Sequence, residues 1–511
     1  MPSRPLPPTP DAGLCQALAA DLSDAGFASA GLRAMWGAPA DDAIVRGLRS
    51  PALRGLGDRA DPLAVLGRLF VLGMPQGEAS VADALPRTRA AGLSALGLVT
   101  VADGQATPAV LVRPQSFADE FGEGEWWIAS DLDEAALQGP LPEDHVLGVG
   151  GASLTLAGLQ LPLIADRGLD VGSGCGVQAL RARRMVDHVV ATDISERALW
   201  FTQLNALLNG VDGIETRLGS LFEPVTGEEF DRVVSNPPFV ITPRVAGVPE
   251  YEYRDGGMDG DDLVAAFVRG VGGLLAPGGV AQLLGNWETR GGVDGLDRVR
   301  EWVSASPVPL DAWVIERESL DPLAYAELWV RDGATLPGTP EFARLVDAWL
   351  DDFASRAVTA VGFGYLLLRR PISGSPTLAR YERLPQALPG TGIGAHLAAA
   401  LAAHDLAVQV SDVELAASTL LVAPDVTEAR HQRPGEDAPT IIELRQGAGF
   451  GRALAVDPGL AALVGACDGD LSVGVLIDAI AELLEVDAEA LRADLLPRVR
   501  ELLFTGFLGF S

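Results

Sequence analysis

Hydrophobic positions recur at two different spacings along this chain, and the changes between them divide it into three parts. After a Pro-rich start, Asp61-Pro-Leu-Ala-Val-Leu-Gly-Arg-Leu-Phe-Val-Leu carries apolar residues at helical spacing, and residues 81–98 read as two further short helices. Two apolar runs then flank Asp103-Gly104, which predicts a hairpin because that dipeptide tolerates the backbone of a tight turn. Helices followed by a hairpin is the order of a winged helix, a plan that serves protein contacts as often as DNA contacts. Residues 1–140 are therefore expected to form a mainly helical, winged-helix-like domain that recognises substrate.

From 145 to 372 short apolar strands alternate with helices, the pattern of an α/β, Rossmann-like, doubly wound and mostly parallel sheet, here expected with seven strands. Strands are expected to end at Val171 and to span 188–193, 214–218, 230–235 and 280–284, with later ones at 312–316 and 361–369. Helices are expected at 177–185, 196–208 and 263–275, the last stopped by Ala276-Pro-Gly-Gly279. Residues 373–511 turn Ala/Leu-rich, with helical periodicity at 471–484 and 491–504 and two or three strands, an α+β accessory domain.

Composition narrows the function classes. At 511 residues and 48% hydrophobic, the chain can bury several cores and is not a disordered polymer. No run approaches the roughly 18 apolar residues that span a bilayer, and the amino terminus lacks the apolar stretch of a signal peptide. Cys15, Cys175 and Cys467 suit neither a disulfide framework nor a zinc site, and none of the five histidines has metal-ligand spacing. The expectation is a cytoplasmic protein with no membrane or metal partner. There are 69 acidic and 38 basic residues, giving a net charge of −31, and every base is arginine. Such a surface repels phosphate backbones and disfavours extensive non-specific nucleic-acid binding. Arg181-Ala-Arg-Arg184 reads as a solvated helix face.

Three motifs carry chemistry. Asp170-Val-Gly-Ser-Gly-Cys-Gly176 leaves a strand and opens a helix; its glycines let the backbone turn tightly and approach a ligand, and the helix start offers free N–H groups. An acid at 170 would repel a pyrophosphate but can orient a cationic methionine group. Asp193 ends the next strand at the spacing where an acid accepts ribose hydroxyls. Asn236-Pro-Pro-Phe239 follows the fourth strand: the prolines hold the backbone extended, so the Pro237 carbonyl and the Asn236 side-chain carbonyl can both accept from one –NH2 group. Phe239 can stack on a flat substrate.

At these residues the chain resembles a class I S-adenosylmethionine (SAM)-dependent methyltransferase, and within that superfamily it is most similar to the HemK-type protein-glutamine N5-methyltransferases. The likeness extends through Ser220-Leu-Phe-Glu-Pro-Val, Glu229-Phe-Asp-Arg-Val-Val-Ser-Asn-Pro-Pro-Phe-Val and Asp255-Gly-Gly-Met-Asp-Gly260, and covers roughly 165–290. It implies SAM as cofactor: Asp170, Gly172, Ser173, Gly174 and Gly176 at its methionine part, Asp193 with Ile194 at the ribose, and Ser220 and Leu221 at the adenine. It implies that Asn236 and Pro237, with Pro238 and Phe239, hold the acceptor nitrogen. Thr155, before the first strand, is where such enzymes often close over SAM. Two positions depart from the family. Ser220 stands where an acid usually meets the adenine amino group, and Phe239 replaces a tyrosine commoner in the glutamine-specific enzymes. The leading expectation is methylation of a glutamine side chain in a translation-associated protein. The alternatives are an RNA N-methyltransferase acting on adenine or guanine amino groups, a small-molecule N-methyltransferase, and a SAM-binding regulator without activity.

Overall fold

The computed structural model describes residues 5–137, 139, 141–249, 253–333, 335–388, 392–435 and 439–511. Residues 1–4, on which the signal-peptide reading partly rests, lie outside them. The chain forms two compact units: residues 1–157 with 164–382, and residues 158–163 with 383–511.

The first unit is organised around an eight-stranded sheet. Its strands are β1 (Ala165–Val171), β2 (Val186–Asp193), β3 (Ile214–Leu218), β4 (Phe230–Ser235), β5 (Leu275–Arg290), β6 (Asp311–Leu320), β7 (Val358–Arg369) and β8 (Ala379–Arg383), in the order β8-β6-β7-β5-β4-β1-β2-β3. Strands β1 to β5 pair in parallel, while β7 runs antiparallel between β5 and β6. This is the expected α/β sheet with one strand more than seven, β8 being added at the edge. The chain order reverses direction across the sheet between β1 and β4, and open α/β sheets bind ligands at the carboxyl ends of strands beside such a point. β5 is much longer than the expected 280–284: it continues beyond its parallel pairing with β4 because β7 pairs with it as far as Arg290.

Helix Glu196–Leu208 is buried nearly all round, which a surface helix of this sheet would not be. Its outer side is covered by the amino-terminal part of the same unit. There a long hairpin, Val110–Asp119 with Gly122–Asp131, extends the chain beyond the short hairpin expected at Asp103-Gly104, which forms as Val99–Ala102 and Gln105–Pro108. The fully buried Asn205 side chain accepts from Ala129 N–H at 2.7 Å and donates to the carbonyl of Cys175 at 2.8 Å. One amide thus ties the long hairpin to the glycine loop. Arg197 pairs with the buried Asp131 of the same hairpin. Trp126 is buried in this core, and the Trp127 indole donates to Phe27 O at 2.7 Å.

The second unit is more strand-rich than expected. It contains two three-stranded sheets, one of Thr419–Val422, Asp468–Ser472 and Leu508–Phe510 and one of Val426–His431, Ile441–Gln446 and Ala453–Val456. Its helices Val473–Leu484 and Ala488–Thr505 match the periodic segments and pack in a single core with Leu420, Leu460 and Phe507.

Candidate functional site

A cavity of ≈ 880 Å³ opens at the carboxyl ends of β1, β2 and β4. The glycine loop forms its floor. Gly172, Gly174 and Gly176 all have positive φ (73°, 54° and 80°), the left-handed region that only glycine enters cheaply. A Cβ on Gly172 or Gly174 would meet nothing within 4 Å, so on that side these two leave room for a ligand. A Cβ on Gly176 would lie 2.9–3.0 Å from Thr202, so that glycine lets the loop pack on helix Glu196–Leu208.

Asp193 binds the loop from the next strand: it accepts Gly174 N–H and Ser195 N–H, each at 2.9 Å. A carboxylate has about four acceptor sites, so acceptor capacity remains on the cavity side. Ile194, also on the wall, is 61% exposed, an apolar surface that a flat ligand would cover. Ser220 and Leu221 line the wall beyond β3, and Leu221 is held at φ +45°, a conformation that leucine adopts at a cost. Asp170 is fully buried beneath the loop and accepts Ala179 N–H at 3.0 Å. Burial pushes its carboxyl up to about 7. Burial also raises the Cys175 thiol to about 11, which disfavours the thiolate.

Across the cavity stands the Asn-Pro-Pro-Phe segment. Ser235 is anchored by its hydroxyl to Val171 O at 2.7 Å. The Asn236 amide donates to Ser153 Oγ at 3.4 Å, while its Oδ1 is buried and accepts from no group among the described residues. Buried acceptors are nearly always satisfied, so this one is poised for a donor that arrives with a ligand. The Phe239 ring lies 5.4 Å from that of Phe363 on β7, and Phe239 bridges to Asp255.

Of the residues singled out in the sequence, the cavity brings together Gly172, Ser173, Gly174, Asp193, Ile194, Ser220, Leu221, Asn236, Pro237, Pro238 and Phe239. Asp170, Gly176 and Thr155 stand outside that lining. Thr155 sits in helix Gly151–Leu159, and it is the preceding residues, 148 and 150–153, that face the cavity. That segment is fastened by Gln178, whose side chain donates to Ser153 O at 2.7 Å.

Sequence reasoning missed the far wall, which includes His145, Arg244, Tyr253, Arg254, Trp329 and Asp332. Arg244 pairs with Asp255 through two bonds, and Arg254 pairs with Asp332 at 3.1 Å. These arginines come from a segment without strand or helix periodicity. Only the Asp255-Gly-Gly repeat beside them marked it.

Residues 150–247 match the family model described as methyltransferase small domain, and residues 24–109 match Domain of unknown function (DUF7059). The chain is 38% identical over 123 residues to a release factor glutamine methyltransferase of Moorella thermoacetica, covering 22% of this chain and 44% of that protein. It is 34% identical over 171 residues to the protein of that name from Deinococcus radiodurans, covering 32% and 59%. A ribosomal protein uL3 glutamine methyltransferase of Bordetella pertussis is 35% identical over 132 residues, covering 24% and 44%. The chain thus spans about half the length of these relatives. With the sheet order and the placement of the two motifs, these matches make the central part of the chain a HemK-like class I methyltransferase domain.

Proposed function

We propose that this protein is a SAM-dependent N-methyltransferase that methylates a planar amide nitrogen, the side chain of a glutamine in a translation-associated protein. The observation that carries the reading is the buried Asn236 Oδ1, without a partner among the described residues, on the wall of the cavity floored by the glycine loop.

The residues present fit the cofactor. Gly172 and Gly174 leave open space above the loop, Asp193 keeps free acceptor sites, and Ile194 and Leu221 offer apolar surface. Bound there, SAM supplies an electrophilic methyl group. Asn236 Oδ1 and the Pro237 carbonyl accept from the acceptor –NH2, fix its plane and hold electron density on the nitrogen. Most of the rate gain then comes from orientation and preorganised electrostatics. No strong base is required, because the nitrogen's proton becomes acidic once it is alkylated.

A protein acceptor suits the site better than a nucleic acid. Phosphate recognition needs available cations, and Arg244 and Arg254 at the acceptor wall are engaged by Asp255 and Asp332, within a chain of net charge −31. The relatives named for release factor and uL3 glutamine methylation support the same substrate class. The test is transfer from labelled SAM into a fractionated lysate of a strain lacking the gene, with Asn236→Ala as control. Nuclease-resistant label in protein, recovered as N5-methylglutamine and reduced at least about a hundredfold in the variant, is expected. Label in RNA would replace this reading with RNA N-methylation.

A further inference from the structure

Helices Pro322–Asp332 and Pro340–Ser355 are inserted between the antiparallel neighbours β6 and β7, where a tight turn would suffice. They pack on the segment that follows Asn-Pro-Pro-Phe, in a core shared by Ile241, Val248, Tyr325, Trp349 and Phe353. Ile241 is held at both of its backbone groups. Its N–H donates to the Tyr325 hydroxyl at 3.0 Å, and its carbonyl accepts from the Trp349 indole at 2.9 Å. The Tyr325 hydroxyl also accepts from the Asn286 side chain at 2.6 Å. All four residues are buried. Asn286 is an otherwise unexpected polar residue inside β5, and it sits opposite Phe363, the residue whose ring meets Phe239.

We propose that Tyr325 is a positioning residue for the acceptor side of the methyl-transfer site. Resting on the reading above, the inference is that its hydroxyl clamps the backbone two residues beyond Phe239 to β5, and so fixes where Asn236, Pro237 and Phe239 present their groups to the acceptor. The glycine loop forms the floor of the cavity and makes none of these bonds. Loosening the clamp therefore acts on the acceptor and not on the cofactor. Small misplacement of positioning groups is costly in rate even when folding survives.

The experiment uses the full chain carrying Tyr325→Phe, with Trp349→Phe as a second variant that releases the carbonyl side. Hydrogen exchange by mass spectrometry reads the clamp without any acceptor. Exchange at residues 236–242 is expected to speed up in both variants while residues 170–178 stay unchanged. Initial rates of label transfer from SAM are measured over a dilution series of total protein from the deletion strain. They are expected to fall about tenfold at saturation, with SAM affinity by calorimetry within about twofold of wild type. Unchanged exchange at 236–242, or faster exchange with an unchanged saturated rate, would overturn the proposal. If the wild-type protein labels RNA instead, the glutamine reading fails, and the same loss of rate is then required on RNA.

Discussion

Asp193 Oδ2 accepts the N–H of Gly174 at 2.9 Å, so the strand-end acid that lines the cavity also sets the shape of the glycine loop. Its Oδ1 accepts Ser195 N–H at the start of helix Glu196–Leu208, so one carboxylate fastens both the loop and the helix start. Replacing Asp193 with Asn leaves one acceptor for two N–H donors and turns an –NH2 towards the other. A charge-assisted bond lost in this way costs about 1.5–3 kcal/mol. Asp193→Asn and Asp193→Ala are therefore both expected to weaken SAM binding by tenfold or more. Calorimetric titration checks this; an Asn variant that binds like wild type would show that the loop holds its shape without the acid.

Neighbouring glycines of the loop are expected to fail differently. Gly174→Ala places a methyl group in open cavity space at φ 54°, a backbone cost of about 1–2 kcal/mol. Gly176→Ala adds a clash with the backbone of Thr202 at 3.0 Å, which no side-chain rotation relieves. SAM affinity should fall more in the first variant and the melting temperature more in the second. Thermal melts with and without SAM separate the two; equal loss of melting temperature in both would refute the division.

Much of this site was legible because the parallel strands are short, apolar and punctuated. Helix Glu196–Leu208 and strands Ile214–Leu218 and Phe230–Ser235 have the bounds their hydrophobic runs suggest. The inserted helices were not seen, although Asp321 and Thr339 each cap a helix that begins with proline, a start signal present in the sequence. Their role is set by Ile241, distant in the chain, and no local period records such a contact. The extra strands of the second unit escaped for another reason: Val426–His431 buries none of its residues fully, so its alternation is weak. Within the glycine loop the pattern could not separate Gly176, which serves packing, from Gly174, which faces the cavity. Both look alike until Thr202 is placed beside one of them.

Burial raises the Asp170 carboxyl to about 7; the Ala179 N–H offsets this only in part, and the Asp193 charge adds to it. The folded protein therefore holds this proton more tightly than the unfolded chain, whose carboxyl titrates near about 3.9. Its contribution to stability is complete below that value and is lost as pH rises to about 7. Asp170→Asn keeps an acceptor for Ala179 N–H and has no charge to desolvate. The cofactor-free variant should gain in melting temperature relative to wild type between about pH 5 and about pH 8. A cationic ligand near the loop reverses the preference, because it favours the ionised carboxylate. SAM should thus bind wild type more tightly as pH rises through about 7, with a proton released on binding, and the Asn variant should show neither effect. Parallel melting and binding profiles for the two proteins would mean that Asp170 stays charged throughout. Divergent ones would show a carboxylate that costs the fold stability where it serves the cofactor, as functional groups commonly do.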